Sequence, residues 1–294
     1  MRVAAFSLPA DPQTRRVGVI RGDAISDITP AVGPDLSALL PDAGLVAAAA
    51  DQATTHRLSD VVLRAPLARP GKIICVGLNY HDHCREQGVE PPAYPMLFAK
   101  FANTVTDPGA SVTRPAATDR LDLECELAVV IGRGGSHIPS EHALDHVFGY
   151  TVLNDVTARD LQREDRQWLR AKGWDGFAPM GPMIVTADEL GDPGHLAVRS
   201  WVNGEPWQDS STANMIWDVA TLIGFISRSI RLESGDVLAT GTPAGVGHFH
   251  DPPRYLADGD EIVCEIEGIG RLATRISDEL PRADHLLAAG VDSL

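Results

Sequence analysis

Three carboxylates alternate with apolar residues in one short stretch of the chain. Asp122, Glu124 and Glu126 belong to the run LDLECELAVVI, residues 121–131. This alternation is the period of a half-buried strand. It predicts that the carboxylates share one face, about 6.5 Å from one to the next, and that the odd-numbered apolar positions form the other. Carboxylates crowded near a low-dielectric wall resist ionisation, and a bound divalent cation relieves that cost. The alternative is an ordinary solvated strand face, since carboxylates are usually exposed.

A further carboxylate, Asp155, follows an apolar strand predicted over residues 147–154. The end of a strand can direct a side chain into a site, so Asp155 is a candidate third ligand beside Glu124 and Glu126. Three carboxylates and water suit Mg²⁺ or Mn²⁺ in octahedral oxygen geometry, whereas zinc usually takes thiolate or imidazole ligands. Considered alone, Asp155 fits the N-cap of a following helix equally well.

His83 and Glu86 lie three positions apart in a short predicted helix, residues 81–87. Residues at this spacing lie on the same side of a helix. A carboxylate that accepts the imidazole N–H fixes the tautomer of the ring and raises its basicity, as a water-activating general base requires. Without other context, an incidental pair on an exposed helix explains the spacing as well.

Two lysines lie in apolar or glycine-rich surroundings. Lys100 follows the run MLFA, and Lys172 lies between Ala171 and Gly173. A partly desolvated ammonium group can stabilise an oxyanion or an enolate, which makes both lysines candidates for a substrate site. Either side chain would otherwise extend along the protein surface toward water.

Composition argues against several kinds of partner. The 294-residue chain has 25 basic and 40 acidic residues, a formal net charge of -15, which argues against binding to nucleic acid or to an anionic membrane. The four cysteines are scattered without a C-x-x-C pair, as in a reduced cytoplasmic protein. No apolar stretch approaches the ~20 residues of a membrane span, and the first residues lack the apolar core of a signal peptide. We therefore expect a cytoplasmic protein without nucleic-acid or membrane partners.

The order of elements predicts two units and a fold rich in strands. A proline-rich segment at residues 65–71 separates a small N-terminal domain, 1–66, from a larger domain, 67–294. Many short strands with glycine and proline turns favour a sandwich or roll over a doubly wound sheet, so the fold class is α+β and mostly β. The longest helices are expected over residues 157–171 and 215–230. An apolar stripe on the second fits a dimer interface or, at least as well, the core.

Seven motifs occur in the order and spacing of one enzyme family. They are NYxxHxxE (79–86), LFxK (97–100), ExE (124–126), GYxxxNDxTARDxQ (149–162), AKG (171–173), VNGE (202–205) and GTPAGVG (241–247). Over about residues 70–277 the chain closely resembles the fumarylacetoacetate hydrolase superfamily, in particular its bacterial acylpyruvase-like and hydroxyhepta-diene-dioate isomerase-like members. The resemblance implies a mixed β-sandwich roll, a small N-terminal α+β domain and a homodimer.

The resemblance also implies roles for the candidate residues. The implied ligands of one divalent cation per subunit, Mg²⁺ or Mn²⁺, are Glu124, Glu126 and Asp155. The predicted catalytic residues are His83, Glu86 and Lys172. The predicted substrate-binding residues are Arg159, Gln162 and Thr242. Lys100 is predicted to join them because a partly desolvated ammonium group can stabilise an oxyanion or an enolate. Asp122 matches none of the family's ligands, and we expect it behind the ligands or at the rim of the site.

The implied substrate is a small 2-oxo or diketo acid. Such an acid offers a carboxylate oxygen and a keto or enol oxygen to one cation, which then acts as a Lewis acid. Because the His83–Glu86 pair suits water activation, we expect a hydrolase that cleaves a C–C bond through a metal-stabilised enolate. The substrate would be a 2,4-diketo acid of the acylpyruvate type, such as fumarylpyruvate, or a sugar-derived diketo acid, from aromatic or sugar-acid catabolism.

Two alternatives to a hydrolase remain open. One is an isomerase, tautomerase or decarboxylase that shares the enolate, for example 2-hydroxyhepta-2,4-diene-1,7-dioate isomerase or oxaloacetate decarboxylase. The other is a non-catalytic binding protein with the same fold, against which the complete set of ligand and base residues argues.

Overall fold

Most of the regular structure in the described part of the chain is β-strand. The computed structural model describes residues 1–36, 40, 43–51 and 53–279. Its strands are β1 Arg2–Leu8, β2 Asp11–Arg21, β3 Ala24–Asp27, β4 Thr54–Arg57, β5 Val62–Arg64, β6 Ile73–Gly77, β7 Met96–Lys100, β8 Val105–Thr106, β9 Ser111–Arg114, β10 Leu121–Asp122, β11 Cys125–Ile131, β12 Val147–Asn154, β13 Thr157–Ala158, β14 Ala178–Thr186, β15 Ala197–Val202, β16 Glu205–Ser211, β17 Val237–Ala239, β18 Glu261–Ile266 and β19 Gly270–Asp278. Its α-helices are α1 Thr29–Val32, α2 Ala43–Ala50, α3 His81–Gln87, α4 Arg159–Glu164, α5 Leu169–Lys172, α6 Ala187–Leu190 and α7 Val219–Ser227. The predicted α+β, mostly β class is confirmed.

Two sheets of the described chain enclose the main core. The larger, with twelve strands, runs in the order β4-β3-β2-β1-β14-β12-β11-β17-β6-β7, with β5 paired to β1 and β8 to β14. The smaller has five strands in the order β16-β15-β18-β19-β9, and β10 pairs with β13 in a separate ribbon. Both parallel and antiparallel pairs occur, since β17 runs parallel to β6 while β11 runs antiparallel to β12. This is a mixed β-sandwich.

The residues of β11 divide between two cores. Cys125, Leu127 and Val129 belong to the core between the two sheets, which also contains apolar residues of β15, β18 and β19. Ala128 and Val130 belong to a second core on the other side of the large sheet, with residues of β1, β2 and β6. The predicted alternation therefore holds along β11, but both faces are buried and neither is solvated.

The strand predicted over residues 121–131 is interrupted at positions 123 and 124. β10 ends before the interruption and β11 starts after it. There the Glu124 N–H donates to Oδ1 of Asn154 (3.0 Å), and the Asp155 N–H donates to the Glu124 carbonyl (2.8 Å). These bonds take the place of regular strand pairing and set Glu124 beside Asp155.

The N-terminal strands extend the large sheet. β1 pairs with β14 through Arg2↔Val185 and Val3↔Ile184, and β5 pairs with β1. Val3 also packs in the same core as Ala128 of β11. The domain boundary at residue 66 stays a prediction, and the end of the predicted 67–294 domain, residues 280–294, lies outside the described residues.

Two helix predictions were too long. Residues 157–171 do not form one helix, because Thr157–Ala158 pairs with β10 as a strand and the rest divides into α4 and α5. The helix expected over residues 215–230 is limited to α7, whose start is fixed by Asp218 as it accepts the Thr221 N–H at 2.8 Å. The apolar stripe of α7 lies in the main core of the same protomer, so it gives no support to a dimer. Across the described ranges, no helix is long and apolar enough to cross a membrane.

Candidate active site

The carboxylates of Glu124, Glu126 and Asp155 converge where β11 and β12 lie side by side. Cys125 of β11 pairs with Asn154 of β12, which brings the residues that flank this pair together. All three carboxylates are buried, and each offers an oxygen within 4.8 Å of the others. The structure thus brings together the three residues that the sequence proposes as metal ligands.

Lys172, at the end of α5, is buried against this cluster. Its Nζ donates to Oε2 of Glu124 (2.9 Å), to Oδ2 of Asp155 (2.7 Å) and to the Thr157 hydroxyl (2.8 Å). Burial by itself would lower the pKa of Lys172, but the carboxylates of Asp155 and Glu124 raise it above the ordinary value. Lys172 therefore carries a fixed positive charge, which suits it to stabilise an enolate and not to act as a base.

Lys100 lies behind the cluster, so its predicted contact with substrate needs correction. Its Nζ donates to the backbone carbonyls of Val156 (3.1 Å), Lys172 (2.6 Å) and Phe177 (2.8 Å), and it forms an ion pair with Oδ1 of Asp155 at 2.8 Å. The three carbonyls match the three donors of an ammonium group, and the side chain is 0% exposed. Lys100 thus supports Asp155 and the chain around it instead of facing the cavity.

Arg159, the first residue of α4, reaches three side chains. Its Nε donates to Oδ2 of Asp122 (2.9 Å), while Nη1 lies 2.7 Å from Oε1 of Glu124 and donates to Oε1 of Gln162 (3.1 Å). Although burial opposes the charge, Glu124 and Asp122 raise the pKa of Arg159 above its ordinary value. The Nη2 atom is buried and has no hydrogen-bond partner in the described structure. A ligand oxygen would satisfy this donor, whose burial is otherwise costly.

The buried acidic side chains around this cluster outnumber the buried basic ones. Four buried carboxylates face three buried cations: Asp122, Glu124, Glu126 and Asp155 against Lys100, Arg159 and Lys172. Burial opposes the ionisation of Glu124, yet Lys172 and Arg159 lower its pKa to about 2. Burial raises the pKa of Glu126 well above its ordinary value, and the charges of Asp155 and Glu124 add to this shift. Glu126 forms no ion pair with any described residue and accepts one hydrogen bond, from the Gly241 N–H (2.9 Å).

The donor set of this cluster fits a hard divalent cation. Glu126 is the carboxylate that lacks a cationic partner among the described residues, and burial opposes its ionisation until a cation binds. Oδ1 of Asp155 has no hydrogen bond there, since its contact with Lys100 is an ion pair without hydrogen-bond geometry. Carboxylate oxygens at this separation are ligands that Mg²⁺ and Mn²⁺ prefer, and a cation among them would remove the surplus negative charge. The cluster is therefore able to hold such an ion.

His83 and Glu86 form a hydrogen-bonded pair on α3. Nδ1 of His83 lies 2.5 Å from Oε1 of Glu86, and the other carboxylate oxygen accepts the Gly245 N–H at 2.9 Å. Glu86 therefore fixes the imidazole on one side and the glycine-rich loop on the other. Gln87, one turn after His83, places its Nε2 at 2.7 Å from Nε2 of the ring. With Nδ1 engaged by a carboxylate, Nε2 is the basic nitrogen of the neutral ring.

One cavity of about 290 Å³ joins these groups. Seven of the ten predicted site residues line it: His83, Glu124, Glu126, Arg159, Gln162, Lys172 and Thr242. The other three do not line it but contact residues that do: Glu86 contacts His83, and Asp155 and Lys100 contact Lys172. The Thr242 hydroxyl donates to the Cys125 carbonyl (3.0 Å) and accepts from Gln208 (2.8 Å), so toward a ligand it is an acceptor.

Several cavity residues were missed in the sequence. Phe98 and Trp168 form an apolar wall, with their rings 5.1 Å apart edge to face, and the Lys172 ammonium lies 4.8 Å from the Phe98 ring. His248 and Phe249, just after the GTPAGVG motif, complete another wall. Two of the missed residues had a local signal: Phe98 lies in the LFxK motif, and Gln87, which also lines the cavity, is four residues from His83 and so on the same side of α3. The others depend on contacts between distant segments.

Comparison with known proteins gives the chain clear relatives. The family model "Fumarylacetoacetate (FAA) hydrolase C-terminal" matches residues 72–277. The mitochondrial oxaloacetate tautomerase FAHD2A of Homo sapiens is 45% identical over 220 residues, which are 74% of this chain and 70% of the relative. The oxaloacetate tautomerase YisK of Bacillus subtilis (strain 168) is 46% identical over 225 residues, 75% of each chain.

Solved structures share the fold over nearly the whole chain. A fumarylacetoacetate hydrolase from Exiguobacterium antarcticum is 42% identical, with a TM-score of 0.84 over 95% of this chain and 100% of that one. A 2-hydroxyhepta-2,4-diene-1,7-dioate isomerase from Mycobacterium marinum is 34% identical, with a TM-score of 0.78 over the same shares. A maleylpyruvate hydrolase from Sphingobium sp. SYK-6, in complex with manganese(II) and pyruvate, is 32% identical, with a TM-score of 0.79 over 95% and 100%.

Proposed function

The chain belongs to the fumarylacetoacetate hydrolase family, and on this premise we propose that it is a metal-dependent tautomerase that interconverts the keto and enol forms of oxaloacetate or a similar 2-oxo acid. Two relatives that are about equally similar, one human and one bacterial, are both named oxaloacetate tautomerase. This support favours the alternative from the sequence over the hydrolase that the His83–Glu86 pair first suggested.

The observation that carries the proposal is the buried carboxylate cluster with Lys172 beside it. Glu124, Glu126 and Asp155 would hold Mg²⁺ or Mn²⁺, which when bound supplies Lewis-acid polarisation of the 2-oxo group. A structural neighbour holds manganese(II) and pyruvate, a 2-oxo acid, which supports both the ion and the substrate class. The fixed charge of Lys172 adds electrostatic stabilisation to an enolate at the same place.

Residues of this chain would move the proton and hold the substrate. Keto-to-enol conversion breaks a C–H bond at C3, and the electron pair moves into the C2–C3 bond while the C2 oxygen gains the negative charge. Nε2 of His83, with Nδ1 held by Glu86, would accept the C3 proton in place of the hydrogen bond that it takes from the Gln87 amide. The enolate oxygen takes a proton from solvent, and His83 returns its own proton to solvent. Enol-to-keto conversion follows the same steps in reverse.

Arg159 and the aromatic wall would orient the substrate. The buried, unpartnered Nη2 of Arg159 is a donor for a carboxylate oxygen. Phe98 and Trp168 limit water at the side of Lys172, which strengthens the electrostatic interactions in the cavity. Gln162 accepts a hydrogen bond from Nη1 of Arg159 and so keeps the guanidinium in place.

Hydrolysis of an acylpyruvate is the second candidate. The Glu86-oriented imidazole of His83 would serve equally well to take a proton from water. The water oxygen would then bond to the distal carbonyl carbon, and the C–C bond would break to give a carboxylic acid and the pyruvate enolate. The likeness to a maleylpyruvate hydrolase supports this alternative.

Product analysis separates the two candidates. Chelator-treated protein, reloaded with Mg²⁺ or Mn²⁺, is assayed for decay of the enol absorbance of oxaloacetate and for pyruvate release from oxaloacetate, acetylpyruvate and fumarylpyruvate. The proposal expects metal-dependent tautomerisation that is much faster than any pyruvate release. Pyruvate formed from an acylpyruvate without tautomerase activity would favour hydrolysis. Pyruvate formed from oxaloacetate at the rate of enol decay would favour decarboxylation.

We also propose that the protein forms a homodimer, as the resemblance implies. Light scattering of the purified chain at micromolar concentration tests this directly. A mass of twice 31.4 kDa is expected, and a stable monomer would contradict it.

A further inference from the structure

Asp122 is a buried carboxylate that lies next to the proposed ligands without being one of them. It is 0% exposed and belongs to β10, two residues before Glu124. Its Oδ2 accepts from Nε of Arg159 (2.9 Å) and from the His248 N–H (3.0 Å). Its Oδ1 accepts from the N–H groups of Gly247 and Leu123, both at 2.9 Å. One side chain therefore links three separate segments of the site.

The first link, to Arg159, fixes the orientation of its guanidinium group. Asp122 occupies Nε, while Glu124 and Gln162 occupy Nη1. The guanidinium is planar and rigid, so these contacts determine where the remaining nitrogen, Nη2, lies. Nη2 is buried and unpartnered in the described structure, and Arg159 lines the cavity. The contact from Asp122 thus leaves one donor of Arg159 available to a ligand.

The second link, to residues 245–249, fixes the position of the turn that carries His248 and Phe249. Asp122 accepts hydrogen bonds from two consecutive backbone N–H groups of this turn, those of Gly247 and His248. A side chain at Gly247 would not fit, because its Cβ would lie 2.9 Å from Oδ1 of Asp122 and 2.3 Å from the Arg254 carbonyl. The turn is therefore built to approach this carboxylate closely.

This turn also contacts α3, the helix that carries the proposed base His83. The Phe249 ring lies 5.9 Å from the His83 ring, edge to face, and the Gly245 N–H donates to Glu86. Asp122 therefore contacts two parts of the cavity lining, Arg159 directly and the His248–Phe249 wall through the turn.

We propose that Asp122 is a positioning residue that holds Nη2 of Arg159 at the carboxylate of a 2-oxo acid and holds the 245–249 turn against the His83–Glu86 pair. The inference rests on the proposed function for the class of ligand, a 2-oxo acid. Its binding consequences can be measured without turnover.

The test compares Asp122→Asn with a matched control, Asp27→Asn. Asp27 is also buried, at 4% exposure, and it also accepts from an arginine, Nη1 of Arg16 (2.8 Å), and from a backbone amide, Thr29 N–H (2.9 Å). It does not line the cavity. Both variants lose a buried charge paired to arginine. Because Arg16 is 26% exposed and Arg159 only 5%, Asp27→Asn should cost less stability, and binding is compared for the folded fraction of each variant. Only Asp122→Asn should weaken binding of oxalate to the Mn²⁺-loaded protein, by about tenfold or more, which corresponds to one lost charge-assisted contact.

A double-mutant cycle shows whether Asp122 acts through Arg159. The oxalate Kd is measured for the wild type, Asp122→Asn, Arg159→Lys and the double variant. We expect Asp122→Asn to change the Kd less than about twofold in the Arg159→Lys background, since coupled residues are not additive. Equal effects in both backgrounds, or no effect in the wild type, would overturn the proposal.

Hydrogen exchange provides a readout of the turn. Peptides that cover residues 241–252 should exchange faster in Asp122→Asn and at the wild-type rate in Asp27→Asn. Unchanged exchange in Asp122→Asn would overturn the second link. If Asp122→Asn does not fold, Asp122→Glu keeps the charge but displaces it, and the same loss of oxalate affinity is expected.

If the proposed function were wrong but the role of Asp122 correct, the measurements would differ from those above. In that case the wild type would lack tautomerase activity, while the oxalate Kd would still respond to Asp122→Asn and not to Asp27→Asn.

Discussion

Replacement of Lys100 by methionine separates a structural lysine from a substrate-binding one. Methionine has nearly the same length, so Lys100→Met mainly removes the charge and the three donors. The side chain is 0% exposed, and its loss leaves the carbonyls of Val156 and Lys172 and one oxygen of Asp155 without the Lys100 ammonium, while the Phe177 carbonyl keeps only the Val156 N–H. Removal of one member of a buried ion pair costs about 3–5 kcal/mol. We expect a loss of that size in the free energy of unfolding.

The measurement is equilibrium unfolding of metal-free protein in denaturant, with linear extrapolation to water. Lys72→Met is the matched control, because Lys72 also bridges two carboxylates, Glu233 and Asp236, but is 29% exposed. Water can replace part of its interactions, so the control should lose less than half as much. The reasoning would be refuted if Lys100→Met unfolded like the wild type but bound oxalate more weakly. That result would restore the substrate contact that the sequence suggested.

Three further changes test individual roles. His83→Ala should lower kcat/KM for tautomerisation by about 10²–10⁴-fold, the usual contribution of a general base, and leave Mn²⁺ affinity unchanged; full activity would exclude His83 as the base. Lys172→Met should lower kcat by about 10²-fold or more because an enolate-stabilising charge is lost, and a change in KM alone would contradict this. Gly247→Ala should lower stability by about 1–3 kcal/mol through overpacking against Arg254, as measured by denaturant unfolding; wild-type stability would show that the turn can move away.

Local patterns predicted much of the scaffold around the site. α3 covers residues 81–87 as expected, because Gly88 adopts a left-handed conformation (φ 66) and ends the helix. β12 covers residues 147–154 as expected, and its end sets Asp155 in place. The alternation along β11 correctly assigned its two faces, although the pattern could not show that a second sheet and the N-terminal strands cover both.

The depth of polar side chains could not be predicted from local patterns. Lys100 and Lys172 have similar neighbours in the sequence, yet one faces the cavity and the other lies behind Asp155. The difference arises from carbonyls supplied by segments 56 to 77 residues away. Asp122 likewise gained its contacts from a turn 125 residues later in the chain. Long-range packing decides such contacts, and a motif cannot show it.

The strand break at residues 123 and 124 has the same origin. Alternation favours one uninterrupted strand, but Asn154 and Asp155 compete for the backbone of Glu124. Those two bonds end the regular pairing and let the Glu124 side chain meet Lys172 and Arg159. The break therefore belongs to the way in which the site is assembled.

Titration with Mn²⁺ tests the central claim most directly. Free Mn²⁺ is measured by its paramagnetic resonance signal as chelator-treated wild type and Glu126→Gln are titrated. Glu126→Gln keeps the shape of the side chain and removes the carboxylate that has no cationic partner in the described structure, so it cannot ionise to bind a cation. We predict one saturable site per chain in the wild type and an affinity at least about tenfold lower in Glu126→Gln, since even residues that only support a metal ligand change affinity by that factor. Equal Mn²⁺ affinity in both proteins, or no saturable site in the wild type, would contradict the assignment of the carboxylate cluster as a metal centre.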